Sequence, residues 1–149
     1  MLHSVPMPAR IFGLAGLIPF WTLALLVFLG DASMRASTLP VLIAYGAVIL
    51  SFLGGDHWGI AVRAPTQAGW KRLGWGVTPS LIGWVAVLMP ASAGLCTLIV
   101  CLLFSAWVDQ RMFPNSDDAW YRRLRIVLSS GAALALLLAL AGTVTWGGA

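Results

Sequence analysis

The chain has 149 residues, 60% of them hydrophobic and only 9% charged, with a net charge of +4. That balance excludes a soluble domain, which carries roughly 25% charged residues and at this length has too small a core to hide so much apolar surface. Lipid must cover the remainder, so the expected class is an all-α membrane protein: one integral membrane domain over residues 1–149, folded as a bundle of five transmembrane helices.

A bilayer core about 30 Å thick needs roughly 20 apolar residues per helical span. The first candidate runs from about Ile11 to Gly30. Its apolar stretch is too long for a signal peptide, and GDASMRA after it is a poor cleavage match, so it is read as retained. The second runs from about Leu39 to Val62, the third from Leu73 to Met89, the fourth from Ala91 to Val108 and the fifth from Trp120 to Trp146. MPAS between the third and fourth is barely a turn, and Pro90 suits it because proline continues a helix poorly. These two spans are therefore expected to form an antiparallel hairpin. There is no long internal repeat, and five spans do not divide into the two equal halves of a transporter with inverted repeats.

The basic residues separate cleanly. Arg10, Arg63, Lys71, Arg72, Arg111, Arg122, Arg123 and Arg125 fall on one side of this topology, and Arg35 alone on the other. Positive connections stay inside. The amino terminus is expected in the cytoplasm, or in the matrix for a mitochondrial protein, and the carboxyl terminus on the opposite side. The net charge thus reports orientation in a bacterial inner membrane or a mitochondrial inner membrane, not nucleic-acid binding. Cys96 and Cys101 share one apolar run at a spacing that is neither a redox nor a zinc pattern, so they read as packing residues.

The stretch SFLGGDHWGIAVR, Ser51 to Arg63, carries an acid and an imidazole in the second span. His57 precedes Arg63 by six residues, about 9 Å along a helix. With Arg63 at the headgroups, His57 and Asp56 lie in the inner part of the bilayer. A charge there facing lipid costs roughly 2–3 kcal/mol, so both residues are expected to face other helices or a cavity. Gly54, Gly55 and Gly59 thin the same surface. Gly55 and Gly59 form a small-xxx-small pair of the kind that admits a neighbouring backbone.

The expected neighbours are Asp109 beside Trp107, Trp75 and Thr78 of the third span, and Trp120, Tyr121 and Arg125 at the start of the fifth. Arg125 is the deepest arginine and the best basic partner for a carboxylate on Asp109, Asp56 or a ligand. Ser116 is a plausible N-cap, with Asp117 and Asp118 ahead of the first turn and Asp118 spaced to pair with Arg122. Trp58, Trp70, Trp75, Trp107 and Trp120 fall at the inner interface, where an aromatic belt is the plain explanation. One histidine without a second histidine or thiol does not satisfy a metal, and no cofactor is expected.

FLGGDHWG, the third span with Trp75, Pro79 and Trp84, then WVDQR and WYRRLR resemble, in this order, the transmembrane-protein-69-like family of small multi-pass proteins. The resemblance covers roughly Ile11 to Leu140. It carries Gly54, Gly55, His57, Trp58, Gly59, Asp109, Trp120, Tyr121, Leu124 and Arg125. Asp56 departs from the family pattern, in which the position before the histidine is not a fixed acid. The resemblance implies a membrane fold and a mitochondrial or respiratory setting. The family has no known reaction.

Two functional classes follow. One is a non-catalytic interaction or assembly factor for a larger membrane complex, motivated by small size and glycine seams. The other is a carrier or binding protein for a proton, quinone, lipid headgroup or small anion, built on His57, Asp109 and Arg125. A membrane-embedded enzyme is disfavoured: no nucleophile sits beside the His–Asp pair, and Ser51 lies about 9 Å from His57 along the helix axis. The sequence also has no phosphate loop, nucleophile elbow or nucleic-acid motif.

Overall fold

A computed structural model describes residues 5–63, 66, 68–113 and 119–146. They fold into six α-helices: α1 (Met7–Ala15), α2 (Leu17–Leu29), α3 (Ala32–Arg63), α4 (Trp70–Leu88), α5 (Ala91–Met112) and α6 (Ala119–Trp146). No strand occurs among the described residues.

The first expected span is two helices. They break at Gly16. Pro19 has no N–H to return to the Ala15 carbonyl, and its ring crowds that turn. Tyr45 of α3 donates to the Gly16 carbonyl at 2.9 Å, which ties the break to α3 across the bundle. α3 starts about two turns earlier than its hydropathy predicts. Asp31 caps it, accepting from the Met34 N–H at 2.8 Å, so DASMRAST is the first part of a helix instead of a loop. α5 likewise runs on to Met112. α4 and α5 are joined through Met89 and Pro90 alone, as the hairpin requires.

Four segments among the described residues are long and apolar enough to cross a membrane: Met7–Leu29, Ala32–Arg63, Ala91–Met112 and Ala119–Thr145. α4 is not one of them, because Lys71 and Arg72 fill its first turn and Gly74, Gly76, Thr78 and Ser80 dilute its middle. Between 17% and 44% of each apolar window is buried inside the chain. The remainder is partly or fully exposed, which is what lipid-facing helices require.

The helices pack as a ring. α3 lies against α4, α4 against α5, α5 against α6, α6 against α2 and α2 against α3, while α3 and α5 also meet across the middle. The core between them is Phe20, Leu42, Leu50, Leu95, Leu98, Leu102 and Leu136, with alanines of α6. Fully burying a leucine or phenylalanine is worth about 1.5–3 kcal/mol against water. In lipid that drive is absent, and close packing of small residues must replace it.

Small residues do this along α4, one position away from the expected pair. A β-carbon on Gly54 would overlap the Gly76 carbonyl oxygen, and one on Gly83 would press on the Ala47 backbone. Gly94 sits equally tightly on Ala86. A β-carbon on Gly55 or Gly59, by contrast, would meet no atom of another element within 4 Å. The seam inside the chain is therefore Gly54 with Gly76, and the Gly55–Gly59 pair opens outward.

Candidate functional site

One end of the bundle gathers the polar chemistry. It is formed by the last turns of α3 and α5 and the first turns of α4 and α6. Contacts from Trp58 to Leu73, from Arg72 to Met112 and from Asp56 to Tyr121 tie these turns together.

Asp109 of α5 is its centre, 1% exposed. His57 Nε2 of α3 lies 3.0 Å from one carboxylate oxygen, and Arg125 Nε of α6 donates to the other at 2.5 Å. Three helices are thereby joined through one side chain. A carboxylate only accepts, so the proton between His57 and Asp109 belongs to Nε2, which leaves Nδ1 as the second ring nitrogen. His57 is 0% exposed, and Nδ1 has no hydrogen-bond partner among the described residues.

Asp56, the neighbour of His57, faces a different helix. It accepts from the Tyr121 hydroxyl of α6 at 2.5 Å. Successive helical residues point about 100° apart. Here α5 and α6 flank the end of α3 so that one residue meets each. Asp56 thus belongs to the cluster.

Phe113 closes this end. It is buried, with its ring 5.3 Å from the His57 ring and 4.9 Å from that of Tyr121. The Arg72 guanidinium lies 5.8 Å from the Phe113 ring and donates to the Met112 carbonyl at 3.1 Å. Arg122 donates to the Phe113 carbonyl, and Gln110 to the Arg122 carbonyl at 3.2 Å. Phe113 and Arg72 were not singled out by sequence, because one reads as a loop residue and the other as a topology charge.

The other candidates lie apart from Asp109. Trp58 is 45% exposed. It donates to the Leu73 carbonyl at 3.2 Å and rests in the space left by Gly76 on α4, so it pins α3 to α4. Trp75 stands edge-on to Phe104, Phe104 stacks on Trp107, and the Arg111 guanidinium lies 4.4 Å from the Trp107 ring centre. This half-exposed ladder has the make-up of an interfacial aromatic belt. Trp120 is half-buried beside Tyr121. Ser116, Asp117 and Asp118, and with them the Asp118–Arg122 pairing, lie outside the described residues. No group of three or more His, Cys, Asp or Glu that would hold a metal ion occurs among the described residues.

A helical bundle that keeps a carboxylate, an imidazole and a guanidinium inside apolar helices, and leaves most of its apolar surface uncovered, is a membrane protein. More particularly, the chain belongs to the family described as "Protein of unknown function (DUF3429)", whose model matches residues 5–141. It is similar to Transmembrane protein 69 of Xenopus tropicalis, 33% identical over 140 residues that cover 91% of this chain and 54% of the relative. The protein of the same name in Mus musculus is 32% identical over 147 residues, covering 93% of this chain and 58% of the relative. The chain thus spans little more than half the length of these curated relatives. No solved structure matches it significantly.

Proposed function

We propose that this is a multi-pass protein of a bacterial or mitochondrial inner membrane, with five spans and its amino terminus inside, that works without catalysis as an interaction or assembly factor for a larger membrane complex. Five spans follow if α1 with α2 forms one and α4 another. α4 has 19 residues, about 28 Å of helix, and its Lys71 and Arg72 sit at one end, where headgroups receive them. Arg63, Lys71, Arg72, Arg111, Arg122 and Arg123 border the same end of the bundle, which supports placing that end inside.

The observation that carries the interaction reading is the outward pair Gly55 and Gly59. Both are exposed, a β-carbon on either would meet nothing beyond its own helix within 4 Å, and the exposed Trp58 and Val62 flank them. A pair of glycines four apart on a membrane helix is a surface on which another helix packs closely. The absence of catalysis is supported by how the polar groups are used. Both Asp109 oxygens are held, and Ser51 is bonded to Ser80 of α4 at 2.8 Å, turned from His57.

The test is affinity purification from native membranes of wild type and the Gly55→Ile/Gly59→Ile double variant. A larger membrane protein held by wild type and lost from the variant, with folding unchanged, supports the reading. Recovery of wild type only as a free protein or homo-oligomer contradicts it.

A second reading, a binding protein for a proton, quinone, lipid headgroup or small anion, is favoured by one feature. Arg125 Nη2 is buried with no hydrogen-bond partner among the described residues. A buried guanidinium donor left unmade is where a ligand acceptor would be stabilised.

A further inference from the structure

A cavity of about 120 Å³ lies between α1, α2, α3, α5 and α6. Its walls are apolar, with Phe20 and Leu102 at the back. Two residues of α6 supply the polar part, Arg125 and Ser129, four apart and so on one helix face. They are 3% and 2% exposed. Arg125 gives Nε to Asp109, while Arg125 Nη2 and Ser129 Oγ have no hydrogen-bond partner among the described residues. Native interiors rarely leave such donors unmet, and one acceptor in this cavity would satisfy both.

The shape of the bundle says where that occupant enters. α1 touches α2 and α6 only lightly and has no extensive contact with α3. Phe12 of α1 and Phe52 of α3, both lining residues, are largely exposed and flank this gap. The mouth therefore opens sideways through an apolar rim, toward lipid.

Charge says what kind of head it takes. The Arg125 guanidinium and the Asp109 carboxylate cancel, so a carboxylate or phosphate in the cavity would be buried without a counter-charge of its own. A neutral acceptor carries no such penalty. The space is close to that of an engineered apolar cavity of about 150 Å³ that takes one benzene ring.

We propose that the cavity holds the carbonyl head of a neutral membrane lipid, its oxygen accepting from Arg125 Nη2 and Ser129 Oγ and its apolar chain leaving between Phe12 and Phe52. This rests on the ligand-binding reading given second above. A quinone ring and the ester of an acylglycerol share this chemistry.

The experiment is native mass spectrometry of wild type, Ser129→Ala and Ser129→Leu in mild detergent, as extracted and then titrated with a decyl-tailed benzoquinone, a monoacylglycerol or oleate. Wild type is expected to carry one neutral carbonyl lipid and to take up one of the two neutral probes, which names the source. Ser129→Ala, which adds no bulk, weakens binding roughly five- to tenfold, the usual effect of one hydrogen bond. Ser129→Leu fills the cavity and abolishes binding. Preference for oleate overturns the neutral head. Equal occupancy in wild type and both Ser129 variants overturns the cavity while leaving a ligand elsewhere on the protein. Absence of any lipid from wild type, with no uptake of the probes, overturns this assignment together with the quinone and lipid members of the ligand-binding reading, while its proton and small-anion members stand.

Discussion

Asp109 meets two partners, and its removal does not affect them equally. Asp109→Ala leaves Arg125 as a buried charge with no carboxylate, a loss of about 3–5 kcal/mol. His57→Ala leaves Asp109 paired with Arg125 and removes one hydrogen bond to a charged group, worth about 1.5–3 kcal/mol. The aspartate variant should therefore be the less stable of the two in thermal unfolding in detergent. If the network is structural, Asp109→Leu combined with Arg125→Met should recover most of the stability lost by Asp109→Ala, because apolar pairs often replace buried ion pairs without loss. A double variant no more stable than Asp109→Ala would contradict this. His57, Asp109 and Arg125 were legible in the sequence because ionisable groups in apolar runs must turn inward and find one another. Ser129 was not, because a single hydroxyl in a membrane helix reads as bonded to its own carbonyl four residues back. Phe113 was hidden because QRMFPNSDDAW reads as a loop, whereas α5 carries its helix up to Met112 and sets Phe113 under His57.

At the scale of the helix, Gly54 and Gly55 differ by one step of rotation and by their surroundings. Gly54→Val drives a side chain into the Gly76 backbone, an overpacking cost of about 1–3 kcal/mol, and should lower the unfolding temperature. Gly55→Val meets open space and should leave the stability of the isolated protein within about 0.5 kcal/mol of wild type. Equal destabilisation by both would mean that α3 is rotated from the orientation described. The glycine-rich character of this segment was plain in the sequence. Which glycine faces α4 was not, since hydropathy cannot set the rotation of a helix that is apolar nearly all round. The same limit explains the two boundary shifts. Hydropathy tracks lipid, so it missed the polar opening of α3 capped by Asp31, and it read through the break at Gly16 although Pro19 marks it.

For the whole molecule, the class was readable from composition alone, and the order of helices from apolar run lengths and the proline turn at Pro90. The ring arrangement was not, because it depends on which small residues touch, and those contacts lie between residues far apart in sequence. The ring leaves an outward glycine face on α3 and a buried network that ties α3, α5 and α6 together. On the function proposed above, this network holds the bundle while the outer face holds a partner. Native mass spectrometry of tagged wild type and His57→Ala, drawn gently from their own membranes, tests it most directly. A larger protein partner should be retained by both. Loss of that partner from a folded His57→Ala, or a partner-free wild type, would contradict it.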